Sequence, residues 1–147
     1  DTIDGAGGAD AIDGKGGADH ISGGAANDTI TIGSKTEFTS TVGTDTIDGG
    51  AGVDTITWTG AMNMTAASLG TITNTEVWSI AAGSDFTISD AVLTNNPGVS
   101  FVFGGAGTLS GGEDTAGAAL MTEAIKFTAT GGDYAMKLIG SSGDVEL

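Results

Sequence analysis

Residues 1–36 read DTIDGAGGA, DAIDGKGGA, DHISGGAAN and DTITIGSKT, which are four successive segments of nine residues. Each segment begins with an aspartate and carries an isoleucine two positions later, from Ile3 in the first to Ile30 in the fourth. A second block restarts the pattern at Asp45 with DTIDGGAGV and continues from Asp54 with DTITWTGAM. A fixed period of this kind predicts a repeat protein whose units bury a continuous core by stacking on one another.

The nine-residue period favours short strands over helices. A helix would need an apolar residue every three or four positions to cover its buried face. Here each isoleucine is flanked by short, mostly polar residues, so one side chain points inward and its neighbours point outward, as in a half-buried strand. Glycine clusters between the isoleucines permit tight turns. Two segments therefore form one coil, and the predicted fold is an all-β parallel solenoid with isoleucines in its core and aspartates in columns along its edges.

The predicted columns of aspartates need a counter-charge. Carboxylates stacked about 4.8 Å apart repel each other by about 1 kcal/mol even in water. A divalent cation between them turns this repulsion into attraction. The chain has no cysteine and only one histidine, so the available ligands are carboxylate and carbonyl oxygens. This donor set favours Ca²⁺, which accepts six to eight flexible oxygen ligands, over Mg²⁺, which needs a stricter octahedron.

The segment GGAGVDTIT at residues 49–57 resembles the RTX nonapeptide, G-G-x-G-x-D-x-U-x. The resemblance implies a calcium-bound parallel β-roll in a secreted bacterial protein exported by a type I machine. It implies calcium ligands from aspartate side chains and from carbonyls of the glycine turns. The aspartates in the matching positions are Asp1, Asp10, Asp19, Asp28, Asp45 and Asp54. The turn glycines are Gly5, Gly7, Gly8, Gly14, Gly16, Gly17, Gly23, Gly24, Gly49, Gly50 and Gly52. In the first block Ala6 or Lys15 replaces the second glycine, so distorted or weaker sites are expected there.

A coil of two segments places stacked neighbours 18 residues apart. The predicted stacked pairs are Asp1 with Asp19 and Asp10 with Asp28. Asp45 follows Asp28 by 17 residues and is predicted to lie beneath it after a small deletion. Glu37 follows Asp19 by 18 residues but lacks a glycine turn, which makes it a candidate substitute ligand.

Other side chains are expected to have simpler roles. The aspartates outside the ligand register are predicted to add surface charge, and they are Asp4, Asp13 and Asp48. The single histidine, His20, occupies an outward position beside Ile21 and is expected in solvent. Trp58 and Trp78 are expected to pack in the core or in a cap.

Beyond Thr59 the nine-residue period is lost, but apolar residues still alternate as in strands. Strand patterns occur within residues 72–80, 99–103 and 134–138. We expect residues 1–59 to form the nonapeptide β-roll. Residues 60–147 are expected to continue it as irregular coils that end in a capping hairpin, because an open end would expose unpaired strand edges.

Two further features are predicted in this second half. Short helices are expected at residues 89–93 and 113–125, the latter because it is rich in alanine, leucine, methionine and glutamate. The glycine framework returns in GGAGTLSGG at residues 104–112, where Leu109 stands in the position of the ligand aspartate. This turn is therefore not expected to bind calcium.

Charge and motif content exclude several functions. Nineteen acidic residues against four lysines, with a formal net charge of −15, leave no basic surface for nucleic acid. The sequence contains no run of about 18 apolar residues, so it predicts no membrane-spanning helix. No zinc-protease helix, nucleophile elbow or phosphate-binding loop is present. Repeated aspartates in equivalent environments provide nothing to separate the pKa values of an acid and a base, so the chain is not expected to be an enzyme.

The sequence therefore predicts a noncatalytic, calcium-stabilised module of an extracellular bacterial surface assembly. Glycine-turn repeats combined with the strand ITNTEVWSI at residues 72–80 are similar to segments of RTX-rich S-layer proteins and surface adhesins. Self-association into a calcium-dependent polymer is expected, and a cell-surface polysaccharide is a candidate partner. One alternative is the β-roll and secretion module of a type I secreted enzyme. A second alternative is an ice-binding solenoid, suggested by the threonine sets Thr29/Thr31, Thr55/Thr57/Thr59 and Thr71/Thr73/Thr75.

Overall fold

A computed structural model of the chain describes residues 1–34, 37 and 44–111, and the strand backbone of residues 126–129 and 136–139. The described strands are β1 (Thr2–Asp4), β2 (Ala11–Asp13), β3 (His20–Ala25), β4 (Thr29–Ile32), β5 (Thr46–Ala51), β6 (Thr55–Trp58), β7 (Asn63–Met64), β8 (Ile72–Thr73), β9 (Val77–Ile80), β10 (Asp85–Ile88), β11 (Ser100–Phe103), β12 (Gly107–Gly111), β13 (Lys126–Ala129) and β14 (Met136–Ile139). Two short helices are described, α1 (Ala66–Leu69) and α2 (Asp90–Asn95). The protein is therefore mostly β, as the sequence predicts.

The strands form three sheets, and every described strand pair is parallel. The first sheet has the order β1-β3-β5-β8, and the second has the order β2-β4-β6-β9-β11-β13. The third sheet has the order β7-β10-β12-β14. The chain alternates between the first two sheets from β1 to β6, so consecutive nine-residue segments lie in different sheets. From β7 onward it also enters the third sheet, which makes the later coils longer.

The isoleucines of the repeat form the ladders of the core. In the first sheet Ile3 pairs with Ile21, which pairs with Ile47. In the second sheet Ile12 pairs with Ile30, which pairs with Ile56. All of these except the half-buried Ile3 are buried, and their neighbours along the strands face outward. The alternation in sequence thus corresponds to the two faces of each strand.

Aromatic side chains fill the wider part of the core. Trp58 is 1 % exposed and Trp78 is 0 % exposed, which confirms their predicted packing role. Trp58 meets Phe86 edge to face with ring centroids 4.9 Å apart, and Trp78 meets Phe101 in the same way at 5.3 Å. Such pairs prefer this geometry because the positive ring edge faces the negative ring face. These large side chains occupy the space between the second and third sheets.

A buried asparagine fixes α2 against the first sheet. Asn96 is 0 % exposed, and its amide group donates to the carbonyl oxygens of Ile72 and Val92, both at 2.9 Å. Its side-chain oxygen accepts from the Thr75 backbone N–H at 3.1 Å and from the Thr75 hydroxyl at 2.6 Å. The Trp78 indole N–H donates to the same hydroxyl at 2.8 Å. Full use of its hydrogen-bonding groups explains why a polar residue is tolerated here.

Two predictions for the second half need correction. Strands β13 and β14 pair in parallel with β11 and β12, in different sheets, so the predicted capping hairpin is wrong for these strands. The described strands from β10 to β14 alternate between the third and the second sheet. Residues 72–80 form two strands in different sheets because Asn74, at φ 51°, turns the chain between β8 and β9.

Other expectations for this half agree with the structure where it can be compared. Helix α2 overlaps the helix predicted at residues 89–93. It begins one residue later and ends two residues later than predicted. Strand β11 covers most of residues 99–103. The predicted helix at residues 113–125 and Tyr134 of the last strand pattern lie outside the described residues. Among the helices that are described, none is long and apolar enough to cross a membrane.

Candidate cation site at the glycine edge

Four turns that carry the chain from the first sheet to the second lie above one another along one edge. They comprise residues 5–10, 23–28, 49–54 and 74–76, of which residues 23–25 and 49–51 are also the ends of β3 and β5, and we call this edge the glycine edge. Hydrogen bonds join successive turns, including the Gly8 N–H to the Ala25 carbonyl at 3.0 Å. The repeat therefore continues through the turns as well as through the strands.

Each turn of the glycine edge ends in an acidic residue that binds the backbone of the coil before it. Asp28 Oδ1 accepts from the Asp10 backbone N–H at 2.8 Å, and Asp54 Oδ1 accepts from the Asp28 N–H at 2.8 Å. Glu76 Oε2 accepts from the Asp54 N–H at 2.7 Å. The predicted stacking of Asp10 with Asp28 is confirmed. Glu76 extends this column although no glycine turn precedes it in the sequence.

The opposite edge carries a second column. Asp19 Oδ1 lies 2.7 Å from the amino group of Asp1, and Asp45 Oδ1 accepts from the Asp19 N–H at 2.8 Å. The predicted pair of Asp1 and Asp19 is confirmed, but the placement of Asp45 beneath Asp28 is wrong. Asp45 precedes β5, which pairs with β3, and it therefore follows Asp19 at a separation of 26 residues. The longer connection after Ile32 allows the chain to return to the first sheet before the next aspartate.

The second oxygen of these carboxylates is left without a donor. Within the described structure, buried Oδ2 atoms with no hydrogen-bond partner belong to Asp10, Asp19, Asp28, Asp45 and Asp54. Asp28 and Asp54 are fully buried, at 1 % and 0 % exposure. Burial raises the pKa of the Asp54 and Asp45 carboxyl groups above the ordinary range. Unpaired buried charge is unfavourable, so such carboxyl groups favour a bound proton or a cation as a partner.

Carbonyl oxygens lie close to the same unpaired atoms on the glycine edge. A Cβ atom on Gly23 would collide with the Gly49 carbonyl oxygen of the next coil and would lie 2.5 Å from Asp28 Oδ2. A Cβ atom on Gly5 would meet the Gly23 carbonyl and Asp10 Oδ2 in the same way. Only glycine permits this approach of neighbouring coils. Carbonyl and carboxylate oxygens, which are both acceptors, therefore face the same glycine Cα on this edge.

The predicted turn glycines differ in what surrounds them. Glycines whose added Cβ would collide with the backbone of a neighbouring coil are Gly5, Gly23, Gly24, Gly49, Gly50 and Gly52. Glycines with open space around that position are Gly7, Gly8 and Gly16. An added Cβ on Gly14 or Gly17 would approach the Asp19 carboxylate, with no carbonyl of a further coil among its nearest neighbours. The close approach of carbonyl and carboxylate oxygens is therefore a property of the glycine edge.

The turns with imperfect motifs also place a residue at positive φ. Ala6 and Lys15 have φ values of 66° and 67°, in the left-handed region that Gly24 and Gly50 also occupy near 100°. Asp4 Oδ1 accepts from the Ala6 N–H and Asp13 Oδ1 from the Lys15 N–H, both at 2.9 Å. Such aspartate-capped turns stabilise a non-glycine residue at positive φ.

This result corrects the roles expected for the aspartates outside the register. Asp4 and Asp13 cap turns and do more than add surface charge, and Asp13 also pairs with the Lys15 ammonium group. Asp48 accepts a hydrogen bond from the Asn74 side-chain amide at 2.8 Å. The distorted or weaker sites expected in the first block stay a prediction, and these caps show how Ala6 and Lys15 adopt positive φ without glycine.

Glu37 does not take the place of a stacked aspartate beneath Asp19. Its Oε1 accepts from the Ser34 N–H at 2.8 Å, and its backbone carbonyl accepts from the Asp45 N–H at 2.9 Å. Burial, with a smaller contribution from the nearby Asp45 charge, raises the pKa of Glu37 to about 7. The position beneath Asp19 is taken by Asp45.

Three remaining predictions concern the outer surface and Leu109. His20 is exposed, as expected, and its ring lies 2.6 Å from the Thr46 hydroxyl. Leu109 is buried in β12 and offers no ligand. The threonine sets do not form one plane. In-register pairs occur at Thr29 with Thr55 and at Thr31 with Thr57, but the rows then continue with Val77 and Ser79. Thr73 belongs to the first sheet, and Thr75 is buried.

Side chains alone do not form a metal cluster. Within the described ranges, no three histidine, cysteine, aspartate or glutamate side chains converge on one point. A cation at the glycine edge would therefore take a large share of its ligands from backbone carbonyl oxygens, which is compatible with Ca²⁺. Comparison of the chain with protein-family models, with curated proteins and with solved structures finds no match.

Proposed function

We propose that this chain is a noncatalytic parallel β-solenoid, an RTX-like β-roll continued by wider coils, that calcium stabilises along its glycine edge. The observation that carries the proposal is the column of buried, unpartnered aspartate oxygens beside carbonyl oxygens of the next coil. Acceptor atoms in this arrangement repel one another unless a cation or a donor lies between them. Among the described residues no donor reaches these Oδ2 atoms.

The donor set matches the chemistry of calcium. Asp10, Asp28 and Asp54 would supply carboxylate oxygens, and the carbonyls of Gly23 and Gly49 would supply neutral oxygens. All are hard ligands, and their number and direction are set by flexible turns, which suits Ca²⁺ better than Mg²⁺. When bound, the ion supplies positive charge that offsets the carboxylate repulsion, so folding and calcium binding become one equilibrium.

A role in an extracellular surface assembly follows from this chemistry and from the composition. Sites that rely on few carboxylates and many carbonyls are expected to bind weakly, and extracellular calcium modules bind at roughly 0.1–1 mM. The charge of −15 opposes contact between copies, and each bound calcium ion removes two negative charges. Calcium would thus favour both folding and self-association. The resemblance to RTX-rich S-layer proteins and adhesins supports the same proposal.

The folding part of the proposal is tested by circular dichroism of the purified chain in chelator and in millimolar calcium. Residues 1–59 have much conformational entropy to lose because they are rich in glycine. We expect strand signal and melting temperature to fall in chelator and to recover with calcium, with a smaller recovery in magnesium at the same ionic strength. Strand signal and melting temperature that are unchanged on chelation would refute calcium stabilisation.

The assembly part is tested by light scattering and electron microscopy across a calcium titration. Ordered filaments or sheets that form in calcium and dissolve in chelator would support the surface-assembly function. A calcium-loaded, folded chain that stays monomeric at high concentration would contradict it. That result would favour the alternative of a secretion module belonging to an exported enzyme, which shares the calcium chemistry but does not need to polymerise.

A further inference from the structure

The fourth turn of the glycine edge has a different sequence from the three before it. Asn74, Thr75 and Glu76 are the three residues between Thr73 and β9 and include no glycine, whereas the positions that pair with Thr73 in the earlier coils are followed by six residues with a glycine cluster before the next strand of the second sheet. No aspartate repeat marks this segment, and it lies outside the ligand register read from the sequence. Its position is nevertheless the next one in the column below residues 49–54.

The oxygens around this turn repeat the arrangement of the earlier coils. A Cβ atom on Gly49 would collide with the Asn74 carbonyl oxygen and would lie 2.8 Å from Asp54 Oδ2. Asp54 is 0 % exposed, and no partner for its Oδ2 exists in the described structure. Glu76 Oε2 accepts the Asp54 N–H at 2.7 Å. A second carboxylate is therefore held beside the buried one.

The Asn74 carbonyl is held in place on two sides. The Asn74 side-chain amide donates to Asp48 Oδ1 at 2.8 Å, and the Asn74 backbone N–H donates to the Asn95 carbonyl at 2.9 Å. These bonds hold Asn74 at φ 51°, a conformation that glycine would otherwise be needed to supply. A carbonyl oriented before binding loses less entropy when it becomes a ligand.

We propose that residues 74–76 complete a further calcium site, in which Asp54 and Glu76 supply carboxylate oxygens and Asn74 supplies a carbonyl oxygen. The inference rests on the proposed calcium binding of the glycine edge. The longer glutamate side chain reaches the column from a turn that is three residues shorter. Asp54 and Glu76 flank this position as Asp28 and Asp54 flank the one before it, so it is expected to bind calcium with similar affinity.

The variant Glu76→Gln separates a ligand role from a structural one. Glutamine keeps an oxygen that accepts the Asp54 N–H, but it removes the charge and one strong ligand. Isothermal titration with calcium is expected to show the loss of one bound ion per chain, or a weakening of one site by at least about tenfold. The matched control is Asp85→Asn, which removes one negative charge at an exposed strand position and should leave the calcium count unchanged.

Terbium luminescence gives a second, position-specific readout. The Trp78 indole N–H donates to the Thr75 hydroxyl at 2.8 Å, which places this ring beside residues 74–76. Excitation of tryptophan should therefore produce sensitised Tb³⁺ emission that calcium displaces, and this emission should be largely lost in Glu76→Gln. In Trp78→Phe the emission should fall while the number of bound ions is retained, which provides a test even if Glu76→Gln does not fold.

The possible results separate this inference from the proposed function. A wild-type chain that binds neither calcium nor Tb³⁺ would overturn both. Calcium binding and sensitised emission that are the same in wild type and in a folded Glu76→Gln variant would overturn the further site alone. Emission unchanged in Trp78→Phe would likewise show that the sensitised ion does not lie at residues 74–76.

Discussion

Replacement of Asp28 by asparagine is expected to raise stability in chelator and to lose most or all of that gain in calcium. Asp28 Oδ1 accepts the Asp10 N–H at 2.8 Å, and an asparagine oxygen preserves that bond. The substitution replaces the unpartnered Oδ2 with an amide group. A Cβ atom added to Gly23 would meet both Asp28 Oδ2 and the Gly49 carbonyl oxygen. The asparagine amide would therefore lie near this carbonyl oxygen and could donate to it. The variant therefore removes a buried charge and supplies a donor, but it loses a calcium ligand.

The two effects have similar size. In chelator, relief of an unsatisfied buried acceptor should raise the free energy of unfolding by about 1–3 kcal/mol. In calcium at a hundred times the dissociation constant, loss of one independent site should lower the free energy of unfolding by about 2.7 kcal/mol. The net change relative to wild type is this loss minus the gain seen in chelator. The difference between the two conditions is the quantity that identifies the ligand role.

Urea unfolding followed by far-ultraviolet circular dichroism measures both effects. Asp13→Asn is the matched control, because Asp13 is exposed and an asparagine oxygen can still cap the Lys15 turn. Its urea midpoint should move little in either condition. A change in the Asp28→Asn midpoint with the same sign and size in chelator and in calcium would show that Asp28 has only a structural role.

Three further results are expected from the structure. Gly49→Ala should strongly lower the melting temperature in calcium because the added Cβ would collide with the Asn74 carbonyl, whereas Gly16→Ala has open space and should change it little. Asn96→Ala should lower the urea-derived free energy of unfolding by about 3 kcal/mol with or without calcium, since it leaves buried backbone groups unpaired. The control Asn63→Ala, at an exposed position, should stay within about 0.5 kcal/mol of wild type. In chelator, stability should fall as pH rises from about 4.5 to about 7, because burial raises the pKa of Glu37 from 4.5 to about 7 and the folded chain then holds its proton more tightly than the unfolded chain. Melting temperatures across this range should vary less in Glu37→Gln, and an identical profile would contradict the assignment.

Local sequence was sufficient to predict the first coils. The position of each isoleucine between polar neighbours specifies a strand and its buried face, as Ile12 and Ile30 show by pairing in register. The glycines mark the turns, and a constant spacing of 18 residues correctly pairs Asp10 with Asp28. These features depend on residues close in the chain or on an unbroken period. The all-β class and the noncovalent stacking of equivalent residues were therefore readable from the sequence.

Tertiary structure decided what lies beyond the unbroken period. Once the connection between Ile32 and Asp45 exceeds one segment, the spacing no longer specifies which sheet the next strand joins. Packing of β5 on β3 decides it, and places Asp45 with Asp19. Glu76 enters the acidic column for the same reason, since its coil is fixed by the pairing of β9 with β6 and not by a motif. Register within a repeat is a local property, whereas the choice of neighbour after an irregular connection depends on burial in the whole core.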